Sequence, residues 1–482
     1  MENRDEGILE GAHKTRITRR QLLLGLTAGA ASVAVAACSS AAPAAPTSAP
    51  AAATKAPAAA GAPTSAPAAS APTSAPAAAP TSAPAVLKGT SLAFLGGTYF
   101  VQAAQKMFVS QLNEWGKQNG VTVTADFLNW PDLQAKVAAA IQSGAGGDVF
   151  HFWPGWAFLY KDNLVDVTDM ATAMGQAQGG FYDWAASVCQ INGKFLAMPI
   201  GTSNAAWNYR ISYLKQVGYD KFPGTWDDFF AMGKKLKAIG KPIGQALGHS
   251  LGDPSSFCYP YMWSNGAMEV QKDGKTVAFN TPEFVDGMKK FIQGWKDGFD
   301  PTGLSWDDSS NNRAFLSDQI SVALNGSSIY AAALTDAPKI AADMDHADPP
   351  KGPAGQFYEL QGQSFGILKA SKNVAGAKDF LKWWFETKQF GDWLHAQNVY
   401  ELPPTKSWAS DPMWTKDPKL AAFGREVNFG RIDGYAGTLN DKAALARSKY
   451  IIVDTFAKAV TSGDAQGSIN WGADQLKQIY GG

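Results

Sequence analysis

Apolar residues from position 92 onward recur with two periods that alternate along the chain. Leu92 to Leu95 is a short continuous apolar run that stops at Gly96-Gly97, which predicts a buried strand. Ala104, Phe108, Leu112 and Trp115 then share one helical face across residues 101 to 118, and Gly120 supplies a terminator. Val121 to Leu128 alternates as a second strand. Asn129 stands where a cap would, with Pro131 in the first turn and Leu133, Val137 and Ile141 along one side. Asp148 to Trp153 predicts a third strand. Strand, helix, strand, helix, strand implies a parallel sheet covered by helices, an α/β architecture.

Later segments continue in helical period. Thr225 and Asp228 have the spacing of a capping box, and Phe229, Met232, Leu236 and Ile239 follow before Gly240. Thr281-Pro282 opens a helix with Phe284, Met288, Phe291 and Trp295 on one face. Phe380, Leu381 and Trp384 line a third. Trp295 and Trp384 are therefore read as core.

In a parallel sheet, ligands bind beyond the carboxyl ends of the strands. The three predicted strand ends read Gly97-Thr98-Tyr99-Phe100, Asn129-Trp130 and Trp153-Pro154-Gly155-Trp156. One aromatic at a strand end usually packs on the adjacent helix. Three strand ends that each carry one point to a ligand surface, with Tyr99, Trp130, Trp153 and Trp156 as candidates and His151 beside them in the third strand. Trp263, before Ser264-Asn265-Gly266, is the candidate to face them from elsewhere in the chain.

The segment before residue 87 has another character. Lys14, Arg16, Arg19 and Arg20 precede a Gly/Ala-rich apolar run that ends at Val35-Ala36-Ala37-Cys38. This is the pattern of a secretory signal, residues 1–37, rather than of a fold. The paired arginines resemble the twin-arginine signal, and the small residues before Cys38 resemble a lipoprotein cleavage site, which makes Cys38 the acylated residue that anchors the chain to the membrane. Residues 38–87 are nearly all Ala, Pro, Ser and Thr, with PTSAP starting at Pro46, Pro63, Pro72 and Pro80 and Lys55 the only charge. A segment without aromatic or branched apolar side chains before Val86 cannot offset its ordering entropy by burial. At about 3.1 Å per residue it would reach on the order of 100 Å, a disordered tether.

The rest is long enough for two lobes. With 42 basic and 42 acidic residues and no basic tract, nucleic acid is not an expected partner. Cys189 and Cys258 are read as buried free thiols, with pairing in an oxidising exterior as the alternative. Catalytic and metal constellations are missing: no HExxH, no phosphate loop, no nucleophile elbow around Ser203. Asp343 to Asp348 has the opening spacing of a calcium loop but lacks its glycine and final glutamate. A glycosidase would need two placed carboxylates, for which Asp307, Asp308 and Glu401 are the suspects; each is read instead as solvated or as a hydrogen-bonding residue. No cofactor and no metal is expected.

Four segments resemble the family 1 extracellular solute-binding proteins, the sugar-type receptors of ABC importers: Gly193 to Gly218, Phe222 to Leu236, Asn312 to Ser328 and Gln363 to Phe385. The departures are Gly147-Asp148 where the family often has Pro-Asp, Gly155-Trp156 where maltose-type members have an acid-arginine pair, and Ser327-Ser328 where they have an aromatic. These put maltodextrin in doubt and leave a sugar in general. The resemblance implies a two-lobed periplasmic-binding-protein-like (type II) fold with a hinge between the lobes. The first lobe would be 88–202 plus 369–407 and the second 203–368 plus 408–482, with crossings near Pro199 to Asn204 and Gln363 to Leu368. Asn204, Asn325, Ser327, Gln361 and Glu401 are the further candidates to hydrogen-bond a ligand. The resemblance also implies a monomer that delivers a carbohydrate to permease subunits without chemical turnover. A receptor for another solute, such as glycerol phosphate or a polyamine, is the alternative, and a lipid-anchored glycoside hydrolase is the third reading.

Overall fold

The computed structural model describes residues 87–481. The expected signal peptide, Cys38 and the tether to Val86 lie outside the described residues.

The chain begins with β1 (Ser91–Gly97), α1 (Gln102–Asn119), β2 (Thr122–Leu128), α2 (Trp130–Ser143) and β3 (Val149–Phe152). β1 runs parallel to both neighbours, with Ser91 opposite Thr122 and Phe94 opposite Val149. The local signals act as expected. Gly120, at φ 65°, closes α1, and Asn129 caps α2 by accepting a bond from the Asp132 amide at 3.0 Å. β4 (Met198–Ser203) follows, and after Asn204-Ala205 the chain enters a second sheet as β5 (Ala206–Arg210).

The second lobe is built from α3 (Trp226–Ala238), β6 (Ile243–Gly244), α4 (Asp253–Ser264), α5 (Pro282–Gly298), β7 (Val322–Asn325) and β8 (Met344–Ala347). Thr225 caps α3 through Asp228 N, and Thr281 caps α5 through Phe284 N, each at 3.2 Å. Asp343 to Asp348 is no loop: Met344–Ala347 is β8, paired antiparallel with β5 from Met344 opposite Arg210. The chain returns as β9 (Gln361–Ile367), α6 (Val374–Trp384), α7 (Thr387–Ala396) and β10 (Glu401–Leu402). It ends in α8 (Asp441–Ser448), α9 (Ile451–Ser462) and α10 (Ala465–Tyr480).

The first sheet has the order β10-β4-β9-β3-β1-β2 and the second β8-β5-β7-β6. One boundary differs from the expectation. Gln361–Ile367, assigned to the second lobe, lies between β3 and β4 of the first sheet and pairs antiparallel with both. The return passage therefore precedes Gln361 rather than spanning Gln363 to Leu368. Every residue of β9 is buried, so its sequence carries no alternation that would tell which sheet it joins. Cys189 is buried in the first core and Cys258 in the second, both as free thiols. Trp295 and Trp384 are core residues, as expected.

The lobes also meet away from the crossing strands. α8 gives Ala443 and Ala444 to the first core and Ala446 to the second. Asp441 pairs with Lys161 of the first lobe. Gly155, at φ 81°, lies so close to this helix that a β-carbon there would sit 2.9 Å from the Ala444 β-carbon. Gly155→Ala therefore meets two costs, a left-handed backbone of about 1–2 kcal/mol and an overlap with α8. We expect it to lower the melting temperature and to enlarge the radius of gyration in small-angle scattering. An unchanged radius would show that α8 accommodates the methyl without parting the lobes.

Candidate functional site

The carboxyl ends of β1, β2 and β3 deliver an aromatic wall. Tyr99 follows β1, Trp130 opens α2, and Trp153 and Trp156 follow β3. Their rings meet edge to face: Trp130 is 4.4 Å from Trp153 and 4.7 Å from His151 between ring centroids, and Tyr99 is 5.5 Å from His151. Gly97 makes room for this, because a β-carbon there would overlap the Trp130 indole.

Three adjoining pockets lie along the wall, and Trp153 lines all of them. The first is enclosed by first-lobe residues Tyr99, Phe100, Trp130, His151, Gln363, Trp393, Gln397, Tyr400 and Glu401. The second lies between the lobes, with Asn204, Gly252, Asp253, Ser256, Asp308, Asn325, Gly326 and Gln361 around it. The lobes come close across it: a β-carbon added at Gly252 would lie 3.5 Å from the Trp153 ring, and one added at Gly326 would overlap the Tyr400 ring.

Hydrogen bonding divides these residues into positioned groups and open ones. Glu401 Oε1 accepts from Ser203 Oγ and Gln363 Nε2, both at 3.2 Å. Gln361 donates to Gly252 O at 3.0 Å and to Ser256 Oγ at 2.8 Å, which ties β9 to the start of α4. Asp308 accepts from Ser250 Oγ at 2.7 Å and Asp253 N at 2.9 Å, so its carboxylate organises the Ser250–Asp253 turn. By contrast, in the first pocket the Tyr99 hydroxyl, the indole N–H of Trp130, Trp153 and Trp393, both His151 nitrogens, Gln397 Oε1 and Glu401 Oε2 are buried without a partner in the protein. Asn204 Oδ1 and Asp253 Oδ2 are in the same state in the second. A buried polar group without a partner costs about 1–3 kcal/mol, so these atoms retain bonding capacity that the protein itself does not use.

Burial sets the protonation states. It lowers His151 to about 3, which keeps the imidazole neutral, and pushes Glu401 up to about 8. Tyr99 is raised well above its ordinary value by burial and by Glu401, and Asp253 by burial and by Asp308.

Of the sequence candidates, Tyr99, Trp130, His151, Trp153, Asn204, Asn325, Gln361 and Glu401 line the first two pockets. Trp156 lines only the third. Ser327 is buried outside all three, with Oγ donating to Asn398 O at 2.7 Å. Trp263 does not face the indoles. It lies in the second core, 5.6 Å from Tyr259 and 5.8 Å from Tyr435, because α4 is buried on nearly every side and has no cleft face to offer there. Phe100, Gln363, Trp393, Gln397, Tyr400, Asp253 and Ser256 were not in the candidate set. Phe100 and Tyr400 carried a visible signal, as aromatics next to the candidates Tyr99 and Glu401; Gln363, Trp393 and Gln397 reach the cleft through pairings of distant segments.

Two α/β lobes joined by crossing strands and closed over an aromatic cleft are the architecture of a solute-binding protein. Residues 110–422 match the bacterial extracellular solute-binding protein family, and the chain belongs to that family. A protein of Brucella abortus named as a binding protein is 24% identical over 313 residues, covering 63% of this chain and 74% of the relative. A protein of Deinococcus radiodurans named as an ABC transporter-binding protein is 24% identical over 295 residues, covering 56% of this chain and 66% of the relative. Among solved structures, maltose-bound MalE3 of T. maritima superposes with a TM-score of 0.70 at 19% identity, covering 81% of this chain and 100% of its own. A sugar transporter protein of Arthrobacter chlorophenolicus with bound laminaribiose gives 0.69 at 18%, covering 81% and 99%. A solute-binding protein of Agrobacterium radiobacter in complex with ribitol gives 0.69 at 17%, covering 82% and 99%. These likenesses establish the two-lobed fold.

The different roles of two tryptophans can be separated. Trp263→Ala removes a core indole, which costs about 3–5 kcal/mol, and should lower the melting temperature sharply. Gly97→Ala pushes the Trp130 ring out of the wall and should cost less, about 1–3 kcal/mol, while changing intrinsic tryptophan fluorescence. Equal melting losses with no fluorescence change in Gly97→Ala would contradict this division.

Proposed function

We propose that this protein is the lipid-anchored receptor of an ABC importer and that it holds a sugar or oligosaccharide between its lobes. The observation that carries the reading is the set of unpartnered polar atoms along the aromatic wall. A sugar hydroxyl both donates and accepts, so it can satisfy indole N–H groups, a neutral imidazole and an amide oxygen together. The apolar face of the ring meets the faces of Trp130, Trp153 and Phe100. No lysine or arginine lines the first two pockets, which disfavours a phosphate-bearing solute. Maltose, laminaribiose and ribitol in structures of the same fold agree with a hydroxylated ligand.

Function follows from closure. With the lobes apart, both walls are in water; ligand bridging them favours the closed shape, which a permease can distinguish from the open one. The protein acts as a monomer without turnover, and Cys38 with residues 38–87 keeps it near the extracytoplasmic face of the membrane.

A cognate sugar should quench or enhance tryptophan fluorescence and compact the protein in small-angle scattering. Alanine at Trp130 or Trp153 should weaken binding by about tenfold or more, about 1.4 kcal/mol per decade, with melting temperature measured alongside. Retained affinity and fluorescence response in both variants would place the ligand elsewhere. Separately, Cys38→Ala should release the mature protein from the membrane fraction or mislocalise it; unchanged membrane retention would remove the lipid anchor from this account.

A further inference from the structure

Glu401 is only 4% exposed, yet one of its oxygens has no partner. It lines the first pocket beside Gly201, where a β-carbon would come 3.1 Å from Oε2. Its two bonds come from neutral donors, Ser203 and Gln363, and both go to Oε1. The titratable groups around it are Tyr99 after β1, His151 of β3, Tyr400 beside it, Glu426 on the segment whose carboxylate accepts from Ala205 N, and Asp253 across the second pocket. All are acids or a neutral imidazole. No lysine or arginine lines either pocket. An ionised carboxylate here would have neither a countercharge nor a hydrogen bond on half of its oxygens.

We propose that Glu401 meets ligand as the uncharged carboxylic acid, with Oε2 donating a hydrogen bond to a ligand oxygen, so that the cleft selects a neutral polyhydroxylated solute against one bearing a protonated amine. This rests on the sugar-receptor reading above and narrows it. The wall itself argues the same way. The three indole N–H groups of Trp130, Trp153 and Trp393 only donate, so their partner must accept, which a hydroxyl oxygen can do and an ammonium cannot, while Gln397 Oε1 can take up a hydroxyl's own proton. Burial that raises the Glu401 carboxyl to about 8 is in keeping with the acid form at neutral pH.

The first test needs no ligand. Infrared difference spectra of the full-length protein, wild type minus Glu401→Gln, should show a carboxylic-acid carbonyl band at pH 6.5 that disappears above about pH 8. The stability difference between the two proteins should follow. A folded-state value raised above the unfolded one stabilises the wild type fully below the unfolded value and is lost as pH rises through about 8. Wild type should therefore weaken relative to Glu401→Gln between pH 5 and 8. A carboxylate band at pH 6.5 together with a pH-independent difference overturns the proposal.

The second test titrates maltose, laminaribiose, ribitol, glucosamine and spermidine by tryptophan fluorescence. For a neutral probe, Glu401→Leu should lose about tenfold or more and Glu401→Gln should restore most of it, since the amide also donates. Wild-type affinity should fall about tenfold per pH unit above pH 8, and that of Glu401→Gln should not. Tighter binding of glucosamine or spermidine, lost in Glu401→Gln, overturns the proposal in favour of a carboxylate–ammonium pair. If no neutral probe binds at any pH, the sugar-receptor reading is what fails, and the infrared result still decides the state of Glu401.

Discussion

One row of the first sheet governs both the shape and the site. Ser203 is the last residue of β4, and it lies in register with Gln361 on one side and Glu401 on the other. The next residues of the chain, Asn204 and Ala205, are already on the way to the second sheet. The row where the chain leaves the first lobe is thus also the row that presents Gln361, Ser203 and Glu401 to the cleft. A shift of one residue in either pairing would turn these side chains to the other face. Interlobe connection and ligand surface share one hydrogen-bond ladder.

Around that row the cleft is divided between rigidity and availability. Edge-to-face packing among Tyr99, Trp130, His151 and Trp153 fixes the rings, and each such contact is worth about 0.5–1.5 kcal/mol beyond buried area. Their polar atoms are left out of that packing. Asp308 and Gln361 do the opposite: most of their bonding capacity goes to holding the Ser250–Asp253 turn and the first turn of α4. The second wall is therefore held in position mainly by side chains that have little bonding left for a ligand.

Much of this is legible in the sequence wherever the signal is local. Apolar spacing placed β1, α1, β2 and α2, because each buries one stripe against its own neighbours. Thr225, Thr281 and Asn129 acted as caps, because a cap depends on three or four residues. The aromatic strand ends were legible for the same reason, once the sheet was known to be parallel. Trp263 misled because a helix buried all round has no periodic face to tell core from cleft. Trp393, Gln363 and Gln397 were illegible because their approach to His151 depends on β9 and α7 returning to a sheet that begins far earlier in the chain, at Ser91. The return boundary failed with them: β9 is buried on both faces and reads the same in either lobe.

The position of β9 has a consequence for how the protein comes to be folded. In the first sheet β4 borders only β9 and β10, both of which follow the whole of β5 to β8 in sequence. When residue 203 has been made, β1, β2 and β3 can pair, but β4 has no neighbour to join. The second lobe must then be synthesised while the first waits with an open edge. Long-range pairings of this kind are slow, and an unpaired edge strand is a template for association with other chains. The segment from Gln361 to Leu402 closes that edge and completes the cleft in one event. A chain stopped short of it would lack a finished first lobe as well as a binding site, so aggregation rather than weak binding is the failure to be anticipated from truncation.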